Sequence, residues 1–453
     1  MGSVGCFGQI ENIKRQSLHY NLINMKKTLY FFAALISMMY GCTAVQTGAP
    51  ISPWDNSHTP EWNIARNAIA MQDDDQWDFI KEIVKDKSIV VLGEQMHFDI
   101  TSTTARIGLL RKLHECGFTT LVFEMAPMLS GYAFGRLPSG DMLTSEDLLF
   151  STPWIMHRES IAPILEMLDS GYFKFFGMDC DIPYSDIFIA KQILDEYSQT
   201  DDLGIPWTRL HTLWGQLQNH SHDPESITPE EQFEYISILN QIRNRVDCLI
   251  DQYGMTTDFS AIKQWLRNMD RNFFDFSSRL KYRVFGGLLG SMRVQIRDNA
   301  MAENVLWYKK HFPDEKLIIW CANLHAAKDV SQIMDCALND YYHNLLTENL
   351  YHELGNEVYS IAITSLNRSD LQQPGELEQQ IAHFTSDAPY AFINCERLRW
   401  LDGYRTAVFE FPEVGKRKNG HWLNIFDGIY YIRDIECMQL NNKTEEPENL
   451  QTE

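Results

Sequence analysis

The segment from Ser88 to Glu124 constrains the fold more than any other part of the chain. SIVVL at 88–92 is a short β-branched run of the kind buried on both faces of a parallel sheet. Gly93-Glu94 closes it. Thr101 to Cys116 follows, with Ile107, Leu110 and Leu113 at helical spacing. Gly117 stops that helix, and Thr119 to Phe123 (TTLVF) reads as a second strand ending at Glu124. Strand, helix and strand in this order make a βαβ unit, and such units build parallel sheets covered by helices. The unit therefore predicts an α/β fold with a carboxylate at the end of each of its two strands.

Later segments extend the pattern. KFFGM at 174–178 ends at Asp179, and KLIIW at 316–320 leads into Ala322-Asn323-Leu324-His325. EVYSIAIT at 357–364 and Thr406 to Phe411 are also strand-like. Between about 185 and 312 the chain is helical in pattern, with few Gly or Pro. The expected architecture is α/β: a mostly parallel central sheet flanked by helices, with a largely helical insert or subdomain at about 185–312 inside a domain spanning 59–440. With 453 residues, 44% of them hydrophobic, the chain can bury one large core. Open α/β sheets form their sites outside the carboxyl ends of the strands. Glu94, Glu124, Asp179 and His325 all fall at such ends, which points to one shared site.

The amino-terminal 41 residues read as a processing segment. Lys26 and Lys27 precede the apolar run TLYFFAALISMM at 28–39, which ends at Gly41-Cys42. A small residue before a cysteine resembles a bacterial lipoprotein signal, with Cys42 as the lipidated residue. That reading anchors the protein to the cell envelope, in the periplasm or at the outer-membrane surface. Met39 and Tyr40 depart from the usual residues of such a site, so an ordinary cleaved signal or an uncleaved anchor is the alternative. Residues 1–24 precede a natural start at Met25 and read as an overlong gene start, 25–41 as the signal, 42–58 as a polar tether and 441–453 as a polar tail. Nothing after Cys42 resembles a transmembrane helix. Without residues 1–41 the chain carries 60 acidic and 35 basic side chains, a balance of −25. A surface so acidic repels phosphate backbones and excludes a nucleic-acid partner. The cysteines after Cys42 stand at 116, 180, 248, 321, 336, 395 and 437, with no CxxC pair. They read as buried free thiols, with one opportunistic disulfide as the alternative.

The motif Gly93-Glu94-Gln95-Met96-His97 puts a carboxylate and an imidazole three residues apart, on one side of a turn. Such a pair can remove a proton from water at neutral pH. Alone it is equally well a capping Glu beside an exposed His. Its surroundings add more. VVLGEQMHF, then Arg106, then GFTTLVFE at 117–124 resemble the opening signature of the erythromycin esterase family. Arg297-Asp298-Asn299-Ala300-Met301-Ala302-Glu303-Asn304 resembles that family's RDxxMAEN helix, followed by Trp307. LYHELGNEVYSIAIT at 350–364 and FDGIYYI at 426–432 resemble its later strands, all in the family's order across roughly 60–436.

The resemblance implies a carboxylic ester hydrolase, acting on esters or lactones by direct attack of an activated water. Its functional positions carry over to Glu94, His97, Arg106, Glu124, Arg297 and His325. The chain departs from the family at Ala322, where a histidine is common, at Phe98, where Gly is common, and at Thr101, often acidic. The expected roles follow. His97 is the general base, and Glu94 or Glu124 orients its ring. His325 and one arginine stabilise the developing oxyanion. Arg106 and Arg297 read equally as buried ion pairs tying helices to the sheet. Asp179 reads as a turn or helix cap, and Glu303 as a structural partner.

No cofactor is expected. A divalent metal on His97, Glu94, Glu124 and His325 is the alternative to be weighed, and no HExxH or GxSxG motif occurs. The expected partners are a small-molecule ester and, through Cys42, the membrane. The competing reading is a non-catalytic envelope lipoprotein binding a metal or haem in the same cleft.

Overall fold

A computed structural model describes residues 67–95, 97, 100–134, 136, 144–146, 158–180, 184–198, 204–219, 226–285, 287–334, 344–368, 376–386, 388–398, 405–407 and 418–436. The gene start, signal, Cys42, tether and tail discussed above lie outside these residues, as do Phe98, Cys336 and Cys437.

In chain order the elements begin with β1 (Ala68–Met71), α1 (Ile80–Val84), β2 (Ile89–Leu92), α2 (Ile100–Glu115), β3 (Phe118–Pro127) and α3 (Met128–Ala133). There follow α4 (Arg158–Asp169), β4 (Lys174–Asp179) and five successive helices: α5 (Tyr184–Tyr197), α6 (Trp207–Asn219), α7 (Pro229–Tyr253), α8 (Thr257–Phe285) and α9 (Gly287–His311). The chain then returns through β5 (Lys316–Trp320), α10 (Asn323–Ala326), β6 (Ile333–Met334), α11 (Leu346–Leu354), β7 (Val358–Arg368) and α12 (Glu376–Phe384). It ends with β8 (Tyr390–Asn394), β9 (Arg405–Ala407), β10 (Lys418–Gly420), α13 (Trp422–Ile425) and β11 (Gly428–Ile435).

The main sheet has eight strands in the order β1-β8-β11-β7-β2-β5-β3-β4. From β11 to β4 every neighbouring pair is parallel, and only the pairings of β8 are antiparallel. This is the mostly parallel α/β sheet that the sequence predicts. Alternation along each strand divides its residues between two apolar layers. Ile89, Val91, Val122, Leu317 and Ile319 face one core, with the helices α5 to α9 packed over it. Val90, Leu92, Leu121, Phe123, Ile318 and Trp320 face the other, against α1, α2 and α4. Two buried faces explain why IVVL is apolar at every position.

The helical stretch is set by strong local signals. Thr228 accepts from the Glu231 backbone at 3.2 Å while the Glu231 carboxylate accepts from the Thr228 backbone at 3.0 Å, so a capping box opens α7 just before Pro229. Gly254, at φ 79°, closes it. A buried amide ladder then docks α8 and α9 on the end of β4. Asn304 donates to the Met178 carbonyl at 2.8 Å and accepts from Gln264 and Asn268 at 2.9 and 3.1 Å.

Three details differ from the sequence expectation. β3 does not stop at Phe123 but runs to Pro127, with its register against β4 broken between Phe123 and Pro127. Met125 takes φ 59° there, because the Asp179 carboxylate captures its N–H at 2.9 Å. The Thr406 segment forms β9 in a separate three-stranded sheet with β10 and β6, not a strand of the central sheet. β1 and β8 are strands that the sequence pattern does not announce, being short and only partly alternating. Among the described residues no helix is long and apolar enough to cross a membrane.

Candidate active site

Four adjacent parallel strands, β2, β5, β3 and β4, present their carboxyl ends side by side. Glu94 follows β2, the turn Ala322–His325 follows β5, Glu124 sits on the bulge of β3 and Asp179 ends β4. The strand order thus sets side by side residues that are up to 231 positions apart in sequence. Gly93 makes this approach sterically feasible. A Cβ there would lie 2.2 Å from Asn323 Oδ1. That Oδ1 instead accepts from the Ile363 N–H at 3.0 Å, while Asn323 Nδ2 donates to the Ile363 carbonyl at 2.7 Å. The Asn323 N–H donates to the Glu94 carbonyl at 3.0 Å. The turn that carries His325 is therefore pinned to both β2 and β7.

Glu94 and His97 form the first half of the site. Glu94 is 1% exposed, and its Oε1 is hydrogen-bonded to His97 Nδ1. Its Oε2 accepts from Trp320 Nε1 at 2.9 Å and from both terminal nitrogens of Arg106 at 3.4 Å. Arg106 is fully buried on α2, held also by Ser102 Oγ at 3.1 Å and stacked 4.0 Å from the centre of the Trp320 ring. The His97 side chain is 31% exposed, so its ring reaches solvent while its carboxylate partner does not.

The second half is built around His325. Nδ1 lies 2.7 Å from Asp298 Oδ1 and Nε2 lies 3.1 Å from Glu124 Oε1. Burial alone would lower the pKa of this imidazole, but the Asp298 and Glu124 charges and their hydrogen bonds outweigh it and raise it to about 10. At neutral pH His325 is a fixed imidazolium. Burial likewise pushes the Glu124 carboxyl up, yet the His325 and Arg297 cations overcome it and hold the group well below the ordinary range. Glu124 Oε2 also accepts the Ala322 N–H at 2.8 Å. Arg297, whose side chain is 19% exposed, donates to Glu124 at 3.1 Å and to both oxygens of Asp179. His97, once protonated, is among the groups that lower Glu124, and Glu124, Glu94 and Asp298 together raise the thiol pKa of buried Cys321 after burial itself. The two halves are electrostatically one site.

All six residues singled out by sequence come to this edge of the sheet. Their partners were less legible. Asp298, Trp320 and Asn323 hold His325, Glu94 and the β5 turn; all three lie in segments that the sequence marks, the RDNAMAEN block, the KLIIW strand and the turn after it, but their partners are not readable there. Asp179 is expected from sequence to cap the helix or turn after its own strand; it instead holds the Met125 turn of the neighbouring strand and anchors Arg297. Glu303 pairs with Arg271 away from the site. Arg106 is an interior ion pair that touches Glu94, Ser102 and the Trp320 ring. Cys180, Cys321 and Cys395 are buried free thiols, whereas Cys116 is half-buried and Cys248 exposed, because Cys248 falls on the outer face of α7. As arranged, the residues do not form a metal ligand set. His325 has a carboxylate on each ring nitrogen, and among the described residues no group of three or more His, Cys, Asp or Glu is disposed to hold an ion.

The fold as a whole superposes on an erythromycin esterase, an EreC mutant in its open conformation, with a TM-score of 0.60 and 14% identity over 82% of this chain and 99% of that one. A Bacillus cereus protein matches with a TM-score of 0.63 and 18% identity, covering 85% of this chain and 99% of its own. A succinoglycan biosynthesis protein matches at 0.62 and 14%, covering 83% and 97%. The fold is therefore erythromycin esterase-like, a mostly parallel α/β sheet flanked by helices. In sequence the chain is 22% identical over 325 residues to erythromycin esterase type II of Escherichia coli, covering 65% of this chain and 73% of that protein. It is 21% identical over 390 residues to "Putative hydrolase YbfO" of Bacillus subtilis, covering 76% and 79%. No family model matches. The similarity to erythromycin esterases thus extends through both sequence and structure.

Proposed function

We propose that the protein hydrolyses a carboxylic ester or lactone by a water activated at His97, with no covalent intermediate. The observation that carries this reading is the Glu94–His97 pair, a buried carboxylate bonded to Nδ1 of an imidazole that remains partly open to solvent. Glu94 fixes the tautomer with the proton on Nδ1 and leaves Nε2 as the base. Water gives a proton to Nε2 as its oxygen attacks the carbonyl carbon, and Glu94 stabilises the imidazolium so formed. Arg106 and Trp320 hold Glu94 and do not meet the substrate. The developing oxyanion is met by Arg297, whose side chain reaches solvent, while the His325 imidazolium acts on it through charge alone because Glu124 and Asp298 occupy both of its ring nitrogens. On collapse His97 returns its proton to the leaving alkoxide.

The erythromycin esterase relatives make macrolide lactones one substrate class to assay beside simple esters. Cys42 and the apolar run before it support placing the enzyme on the cell envelope through a lipid anchor. Loss of membrane association and of fatty-acid labelling in Cys42→Ala tests that placement.

The experiment compares turnover of p-nitrophenyl esters and of erythromycin by the wild type and by His97→Ala. Loss of general-base catalysis lowers kcat by about 10²–10⁴-fold. Equal turnover by the variant overturns the mechanism. A haem difference spectrum on the same samples tests the binding-protein alternative, which predicts saturable haem binding without turnover.

A further inference from the structure

We infer that Asp298 is the positioning residue of the oxyanion side, holding the His325 ring and tying it to the start of α11. The inference rests on the proposed role of His325 as a cationic group of the site.

Asp298 is 0% exposed, and a single oxygen, Oδ1, takes both of its hydrogen bonds. One comes from His325 Nδ1 at 2.7 Å and the other from the Leu346 N–H at 2.8 Å. Leu346 is the first residue of α11, and Leu345 before it has no side chain able to cap a helix. Asp298 therefore caps α11 from another helix, α9. The same junction is closed by Thr347, whose Oγ1 donates to the His325 carbonyl at 2.6 Å, and by Asn349 Nδ2, which donates to Asn299 Oδ1 at 2.8 Å. His325 is thus gripped by ring and by backbone.

Capping alone does not require a charge here. Oδ2 of Asp298 is buried and makes no hydrogen bond among the described residues, so an amide would supply the one oxygen that Leu346 needs. What an amide cannot supply is the negative charge facing the imidazole. Three charged groups face that ring: Asp298 and Arg297 from α9 and Glu124 from β3. Asp179 and His97 stand behind them, through Arg297 and Glu124 respectively. Glu124 is shared with Arg297 and the Ala322 N–H, whereas Asp298 is shared only with a neutral N–H. Asp298 is therefore the anion most fully committed to His325, consistent with its place as the first charge raising the pKa of that ring.

The test is Asp298→Asn in the full chain, read by a ¹³C-histidine NMR titration with the His325 signal assigned from its loss in His325→Asn. The wild-type His325 signal is expected to titrate at about 10, and loss of one close anion to move that midpoint down by about 1–3 pH units. With an ester that the wild type turns over, the variant-to-wild-type ratio of kcat then falls as pH rises through that new midpoint and recovers in acid, with KM little changed. Asn299→Ala breaks the other tie between α9 and α11 and is expected to leave both the titration and the pH dependence as in the wild type. An unmoved His325 titration in Asp298→Asn, or an equal shift in Asn299→Ala, overturns the inference. If the wild type hydrolyses no ester, the proposed function fails, while the titration still decides the role of Asp298.

Discussion

Replacing Glu94 with Gln separates the chemical role of this carboxylate from its place in the core. Glu94 is 1% exposed and accepts from His97, from Trp320 at 2.9 Å and from Arg106 at 3.4 Å. The substitution keeps the shape but leaves the buried Arg106 cation facing a neutral amide. Removing one partner of a buried ion pair costs about 3–5 kcal/mol. The Arg106 contacts are long and the amide oxygen still accepts from Trp320, so the lower end, about 3 kcal/mol, is expected. That lowers Tm by roughly 4 °C in a domain of this size. The effect on turnover is larger. The imidazolium formed at His97 loses its anion, and the new NH2 group can face Nδ1 and impose the wrong tautomer. Together these lower kcat by about 10²–10⁴-fold with little change in KM, because Glu94 is shielded from substrate. Initial rates on a p-nitrophenyl ester and a thermal melt measure both effects. The double variant Glu94→Gln/Arg106→Met removes the orphaned cation as well, so Tm should recover while kcat does not. A double variant that regains turnover along with Tm would show that Glu94 serves packing alone, and the general-base mechanism would have to be abandoned.

Gly93→Ala puts a Cβ 2.2 Å from Asn323 Oδ1 and must displace the turn that carries His325. A loss of about 1–3 kcal/mol in urea titrations and a fall in kcat are expected, and wild-type values for both would refute the close-packing argument. The raised pKa of His325 contributes stability that is complete below its unfolded value of 6.5 and is lost as pH rises through about 10. The depressed pKa of Glu124 contributes stability present above 4.5 and lost as pH falls through its folded value. Tm should therefore decline from near neutrality toward pH 10, and His325→Asn should flatten that alkaline slope. Fluorophosphonate should label no serine stoichiometrically, and EDTA should leave ester turnover intact. Zinc-restorable activity after EDTA would move the mechanism to a metal.

Much of the site was legible before any fold was known because chemistry at a parallel sheet gathers at strand ends, and strand ends are visible in sequence. IVVL before Glu94 and KLIIW before the 322–325 turn mark their positions by apolar runs that break into polar residues. The resemblance to erythromycin esterases added Arg106 and Arg297, which no local pattern distinguishes from helix-surface cations. The β3 bulge was not legible, since Met125 takes its left-handed backbone only because Asp179, 54 residues later, accepts its N–H.

By itself, then, the amino-acid order determined that the chain makes βαβ units with carboxylates and a histidine at their ends, because period and turn chemistry act over a few residues. The tertiary structure decided which of those groups are partners. Successive residues on a helix diverge by about 100°, so the adjacency of Arg297 and Asp298 does not reveal that both reach His325. The docking of α9 beside the turn after β5 and the end of β3 does that, by bringing three distant segments together around one ring. Only then do burial and opposed charges make one imidazole a lasting cation and set the other, His97, on the buried Glu94 carboxylate at the solvent edge.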